Sequence, residues 1–284
     1  IITFLLNTVC LGQSELIISG GNLTSSLVNG NGQVYVWGNN LSFRGSLLGI
    51  LGVNSTSNYV SSPTLISFPT GTPKMKRVSS GSGAHFLSLD CTGSVWAWGD
   101  NEFGQVGNET KGNIVKTPVR VKVLNGDLSI DPVYGNGGFL SNVKDVIGGN
   151  TNSFAILNDG RLVAWGTNSN SSYFSSAGQL GDGTILDKLT PVFVKSGISG
   201  INGQTAGDPL KNVIKVSAGD NVTYAIVDED GDGIGTVYSW GNGTQSQLGR
   251  AKDGGNNPGS MQSIQSSFAY PVTSLTGEVL GGIK

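Results

Sequence analysis

Alternating apolar and polar positions recur in four short stretches of the chain, each opened by glycine and closed by Trp-Gly. They are Gly32 to Gly38, Gly93 to Gly99, Gly160 to Gly166 and Gly235 to Gly241. A period of two with β-branched and aromatic residues predicts strands whose alternate side chains face opposite sides of a sheet. Ahead of each lies a second extended segment, as in Ser153-Phe154-Ala155-Ile156 or Thr223-Tyr224-Ala225-Ile226, across a Gly/Asn/Asp-rich turn. Each pair therefore predicts a β-hairpin.

The hairpins belong to a larger repeating unit. Trp37, Trp98, Trp165 and Trp240 stand 61, 67 and 75 residues apart. Gly21, Gly81, Gly149 and Gly219 precede them by 16, 17, 16 and 21 residues, so the hairpin is held to length while the connections vary. After the Trp come Gly104-Gln105-Val106-Gly107, Gly178-Gln179-Leu180-Gly181 and Ser246-Gln247-Leu248-Gly249. Then follow Thr117-Pro118-Val119, Thr190-Pro191-Val192 and Tyr270-Pro271-Val272, each predicting an outer strand, where a missing N–H costs least. Insertions fall in loops, where added length costs little closure entropy.

This ordered combination resembles the RCC1-type (regulator of chromosome condensation) repeat family, most fully in Asp159-Gly160-Arg161-Leu162-Val163-Ala164-Trp165-Gly166. The resemblance covers nearly all of residues 1–284, read as one repeat domain. It implies an all-β propeller, or a section of one, built from four-stranded antiparallel blades. Family propellers usually have seven blades, whereas four motif sets stand here, so the chain is expected to be part of a longer propeller. The four Trp residues are expected in equivalent packed positions, with Tyr35, Trp96, Val163 and Tyr238 facing the same way. The opening Ile1 to Leu11 reads as a strand of a preceding repeat, and Thr276 to Leu280 as the start of another.

Composition narrows the function classes. Charged residues are 13% and the formal charge is −2, with no run of Lys or Arg, which argues against nucleic acid as partner. No stretch of about 20 apolar residues argues for membrane insertion. Two cysteines, Cys10 and Cys91, leave a single pairing open. Seven Asn-x-Ser/Thr sequences, at Asn22, Asn40, Asn54, Asn108, Asn170, Asn221 and Asn242, together with low charge, point to a secreted or cell-surface setting.

Candidate chemistry is sparse. His85 is the single histidine, and Asn152 occupies its place in the next repeat, which predicts a structural role. Asp228, Asp230 and Asp232 alternate with Glu229, Gly231 and Gly233, a spacing that offers oxygen ligands to Ca2+. Position twelve of an EF-hand loop would here be Ser239 rather than Glu, so an acidic solvated turn is the bland alternative. No other cofactor is expected, and no enzyme.

The leading reading is a noncatalytic protein-interaction module that presents variable loops, 39–62, 122–139, 167–177 and 196–209, on a rigid propeller. Protein is the expected partner, glycan the second, and further propeller repeats or self-association a third. The rivals are guanine-nucleotide exchange on a small GTPase, known in one branch of the family, and a hydrolase with loop-borne acids.

Overall fold

The computed structural model describes residues 17–21, 23–42, 48–82, 84–123, 138–169, 178–198, 205–243, 247–249, 265–274 and 278–283. The opening segment and part of each long loop lie outside them, as does Cys10; Cys91 is disulfide-bonded.

Each repeat folds as one four-stranded antiparallel sheet with its strands in chain order. The first sheet comprises β1 (Ile17–Gly20), β2 (Thr24–Val28), β3 (Val34–Asn39) and β4 (Tyr59–Leu65). The second has β5 (Met75–Ser80), β6 (His85–Asp90), β7 (Val95–Asn101) and β8 (Asn113–Arg120). In the third are β9 (Val143–Gly148), β10 (Asn152–Leu157), β11 (Leu162–Gly166) and β12 (Lys188–Phe193). The fourth holds β13 (Val213–Ala218), β14 (Val222–Val227), β15 (Thr236–Asn242) and β16 (Gln265–Pro271). This is the propeller-blade arrangement, with β5 packed on β1 and β2, β9 on β5 and β6, and β13 on β9 and β10.

Burial follows from how many faces of a sheet are covered. In the two middle sheets, β6, β7, β10 and β11 are buried at every position, because a neighbour lies against each face. In the outer two, β2 and β14 alternate buried with half-buried residues. Three apolar clusters fill the three seams. Val28, Val36, Ile50 and Trp98 share the first, Leu87, Ala97, Val146 and Trp165 the second, and Phe154, Ala164, Ala225 and Trp240 the third.

One contact recurs through these seams. The indole of Trp165 lies on the Gly104–Gly107 turn of the sheet before it, and its Nε1–H donates to Gln105 O at 2.9 Å. Trp240 does the same to Gln179 O, also at 2.9 Å. Trp98 sits on Gly49-Ile50-Leu51-Gly52, a diverged version of the same turn. Among the described residues its Nε1–H has no acceptor, and it is held instead by stacking on Phe86 at 5.3 Å and by the edge of Phe68 at 5.8 Å. A Cβ on Gly107 would come within 2.7 Å of Trp165 Nε1, and its φ is +73°, so both space and backbone demand glycine.

The Trp is aimed by a β-bulge. In all four repeats the pairing with the outer strand slips a register at the Trp, and the glycine after it takes a positive φ. A Cβ on Gly166 would lie 2.5 Å from Thr151 O, so the Trp-following glycine lets two backbones touch. The turn that receives the indole is held by a buried Asn three residues beyond the preceding Trp. Asn101 Oδ1 accepts the Val106 N–H at 3.1 Å, Asn168 Oδ1 the Leu180 N–H at 2.9 Å, and Asn40 Oδ1 the Leu51 N–H at 3.1 Å.

The expectation that all four Trp residues pack alike needs one correction. Trp98, Trp165 and Trp240 are fully buried, but Trp37 and Tyr35 lie half-buried on the open face of the first sheet. Register is shared; the covering turn is not.

Polar groups near the axis also join the sheets. Ser19 Oγ accepts the Ser80 N–H at 2.9 Å and Ser79 Oγ the Gly148 N–H at 3.0 Å, while Arg77 Nε pairs with Asp145 at 2.8 Å. His85 and Asn152 are equivalent, as expected, each folded over a glycine of the preceding turn. Ser153 Oγ gives its proton to Gln105 O at 2.8 Å, so His85 Nε2–H is the donor in the 3.0 Å contact with Ser153. Burial pushes the His85 pKa down from 6.5 to about 4.

Two outcomes follow. By urea denaturation, Trp165→Ala should cost about 3–5 kcal/mol, and Trp37→Ala less because part of its side chain stays in water. Equal losses would contradict the seam. Because the unfolded chain takes up the His85 proton first, stability should be complete above about pH 6.5 and fall between there and about pH 4, by about 3 kcal/mol at most. His85→Asn should flatten that part of the stability profile; an unchanged profile would assign the acid loss to other groups.

Candidate functional site

Four-stranded meanders sort their connections between two ends. The β1–β2, β5–β6, β9–β10 and β13–β14 turns share one end with the loops that leave the third strands. The β2–β3, β6–β7, β10–β11 and β14–β15 turns share the other end with the links between sheets. Loops 39–62 and 167–177 therefore emerge at the first end, while 122–139 and 196–209 emerge at the second. The four segments do not form one display surface, and residues 43–47, 124–137, 170–177 and 199–204 within them lie outside the described residues.

At the first end the loop roots are rigid. Asn168 Nδ2 donates to Asp182 Oδ1 at 2.9 Å and to Thr184 O at 3.0 Å, and the Asp187 carboxylate accepts the N–H groups of Asn168 and Ser169. Asn101 binds Thr110 O at 2.9 Å, and Asn40 binds Ser57 O at 2.9 Å. These buried side chains position exposed residues such as Ile185 and Leu186 without touching any ligand themselves. Sequence reasoning missed them, although Trp-Gly-x-Asn recurs in three of the four repeats and Gly243 breaks the pattern in the last.

At the second end lies the acidic β14–β15 turn. Candidate ligand oxygens of Asp228, Asp230 and Asp232 lie within 4.8 Å of one another. Their carboxylates also close the turn itself: Asp228 accepts Gly231 N at 2.9 Å and Gly233 N at 3.1 Å, and Asp232 accepts Ile234 N at 2.6 Å. Three converging carboxylates could chelate a divalent ion, but nothing in their geometry selects Ca2+. Glu229 accepts the Tyr238 hydroxyl proton at 2.7 Å, and burial, with that contact added, raises the phenol's pKa.

His85 faces Ser153 and Gln105 within the second seam and is fully buried, so it is not a general base open to a substrate. Among the described residues, no helix is long and apolar enough to cross a membrane.

Burial removes two of the seven sequences from the glycosylation argument, whereas Asn54 is exposed. Asn40 is fully buried with its amide committed to Ser55 O and Ser57 O, and Asn242 is 8% exposed. Asn22 and Asn170 lie outside the described residues.

Comparison with known proteins agrees with the geometry. The family model described as the regulator of chromosome condensation (RCC1) repeat matches residues 92–156 and 235–276, and a second model of the same description matches 75–105. The human E3 ubiquitin-protein ligase HERC2 is 31% identical over 238 residues, 83% of this chain but 4% of that protein. Human WBSCR16 superposes with a TM-score of 0.60 at 19% identity, over 93% of this chain and 54% of the other. Prp20p from Saccharomyces cerevisiae, with reported binding properties towards Gsp1p and histones, superposes at 0.57 and 20% identity, over 93% and 49%. The chain thus spans about half the length of the solved structures and a small part of HERC2.

The expectation of a secreted or cell-surface protein is overturned. Two of the matching structures are of yeast RCC1 (Prp20), one solved bound to Kap60 and one characterised with Gsp1p and histones, which belong to nuclear and cytoplasmic complexes. The repeat module is noncatalytic. Its Trp-bearing hairpins, its Gly-x-x-Gly turns and its four-stranded sheets all place the chain in the RCC1-type repeat family.

Proposed function

We propose that this chain is a section of a longer propeller that binds a protein partner through its end loops, and that the activity so supported is guanine-nucleotide exchange on a small GTPase. The observation that carries the binding reading is the pinning of the loop roots by Asn40, Asn101 and Asn168, which fixes exposed segments in advance of binding. The exchange reading is supported by the likeness to Prp20p, whose characterised partners include Gsp1p. A plain interaction scaffold is the coarser form of the same proposal.

Support for a longer propeller comes from the last described residues. Leu280 O accepts the Val237 N–H, and Ile283 O the Gly235 N–H. In the same way Leu140 O accepts Val95 N–H and Leu210 O accepts Leu162 N–H, just ahead of β9 and β13. Ile283 thus stands where Val143 and Val213 open an innermost strand. The half-buried faces of the first and fourth sheets are the surfaces further repeats would cover.

The test uses a GTPase of the Gsp1p type loaded with a fluorescent GDP analogue. The expected result is saturable binding to the full repeat array and faster nucleotide release, both weakened by Ile185→Ser with Leu186→Ser. Binding without faster release would leave a scaffold and refute exchange. Absence of binding, with folding verified, would count against the GTPase as partner.

A subsidiary proposal is weak divalent-ion binding by Asp228, Asp230 and Asp232, with Ca2+ expected because all donors are hard oxygens. Calcium should raise the unfolding temperature only at roughly millimolar concentration. Asp230→Asn with Asp232→Asn should abolish the rise. No calcium-dependent shift in the parent chain would leave the acids as turn-formers alone.

A further inference from the structure

Every seam joins two halves, an indole on one sheet and a glycine turn on the sheet before it, and the chain carries a spare half of each kind. A Cβ on Gly52 would meet Trp98, one on Gly107 would meet Trp165, and one on Gly181 would meet Trp240. Gly249 is their equivalent in the fourth sheet. Its φ is positive, and Val272 lies beside it as Val121 and Val194 lie beside Gly107 and Gly181, but among the described residues no indole rests there. The indole left over is Trp37, half-buried on the open face of the first sheet.

The residues around Trp37 repeat a seam position by position. Ser25 pairs with Trp37 as Ser153 pairs with Trp165, and in the second seam Ser153 and Trp165 both donate to Gln105 O. Ile18, Leu27, Tyr35 and Leu65 stand opposite one another across the four strands of the first sheet. Their equivalents in the third sheet are Val146, Ala155, Val163 and Phe193, all buried against the second sheet. Ile18, by contrast, is 64% exposed and Leu65 46%. A contiguous apolar row of this kind marks a face that a partner covers.

The far face of the fourth sheet is the matching surface. Tyr224, Ile226 and Val237 take the places of Phe154, Ile156 and Leu162, which are fully buried in the third seam, yet all three are half-buried. Gln247 O accepts the Tyr224 hydroxyl proton, and a carbonyl oxygen has room for a second donor, as Gln105 O shows. Lys215, opposite Ile226 on the innermost strand, is exposed and keeps its ammonium in water.

We infer that the open face of the first sheet in one copy of this chain receives the fourth sheet of a second copy, with Trp37 on the Gln247-Leu248-Gly249 turn. A second copy is the occupant because both halves of the missing seam are written in this sequence and do not meet within one chain. The two faces differ, so the contact is head-to-tail and further copies add by the same contact. The inference rests on the reading of the chain as a section of a longer propeller, the second copy supplying the further sheets.

Sedimentation velocity on the full chain between about 1 and about 100 μM tests it, and association should deepen across that range. Ile18→Glu with Leu65→Glu should weaken self-association by about a hundredfold, at unchanged unfolding temperature because both side chains are exposed. Labelled, that double variant should still bind the parent chain, since its own fourth sheet is intact. A double variant that associates like the parent, or one that ignores the parent, would overturn the inference. Acrylamide quenching at dilution separates this from the reading beneath it. Part of the indole emission should be quenched readily, and Trp37→Phe should remove that part. Such quenching in a chain that stays monomeric throughout would refute the second copy and leave the open section standing. Without it, the open section fails and the inference with it.

Discussion

The hydrogen bonds from the buried indoles of Trp165 and Trp240 to a carbonyl of the sheet before each tie sequence, fold and surface together. A sheet with one apolar face cannot hold its shape in water, and here each gains a partner by placing Trp on a neighbour's glycine turn. The contact is built from both sides. A bulge and a glycine aim the Trp, and a buried Asn on the neighbouring sheet shapes the turn that receives it. Because that same Asn roots the loop leaving the sheet, packing between blades and display of loops depend on one side chain.

Much of this was legible. Trp-Gly, Gly-Gln-Leu-Gly and Thr-Pro-Val mark a bulged third strand, a receiving turn and a Pro-bearing outer strand, and local chemistry alone is enough to find them. What stayed hidden depends on neighbours. Gly49-Ile50-Leu51-Gly52 lacks the Gln, and only Trp98 resting upon it shows its place in the repeat. Trp37 is followed by the same glycine as the others, yet it is half-buried because burial belongs to the covering sheet and not to the strand. Asn40 reads as a glycosylation acceptor until its amide is found bonded inside the loop.

The candidate surfaces show the same division. Loop lengths were readable, but their sorting to opposite ends follows from strand direction. Asp228, Asp230 and Asp232 were visible as an acidic cluster; that their oxygens also hold the turn's own N–H groups was not.

The central claim is that the turn held by Asn101 and the indole of Trp165 act as one unit across a sheet boundary. A double-mutant cycle between Asn101→Ala and Trp165→Ala, read by chemical denaturation, measures this directly. Coupling of about 1 kcal/mol or more is expected, since either change alone already spoils the contact. Strict additivity of the two losses would mean that the turn and the indole stabilise their sheets separately, and would contradict the account.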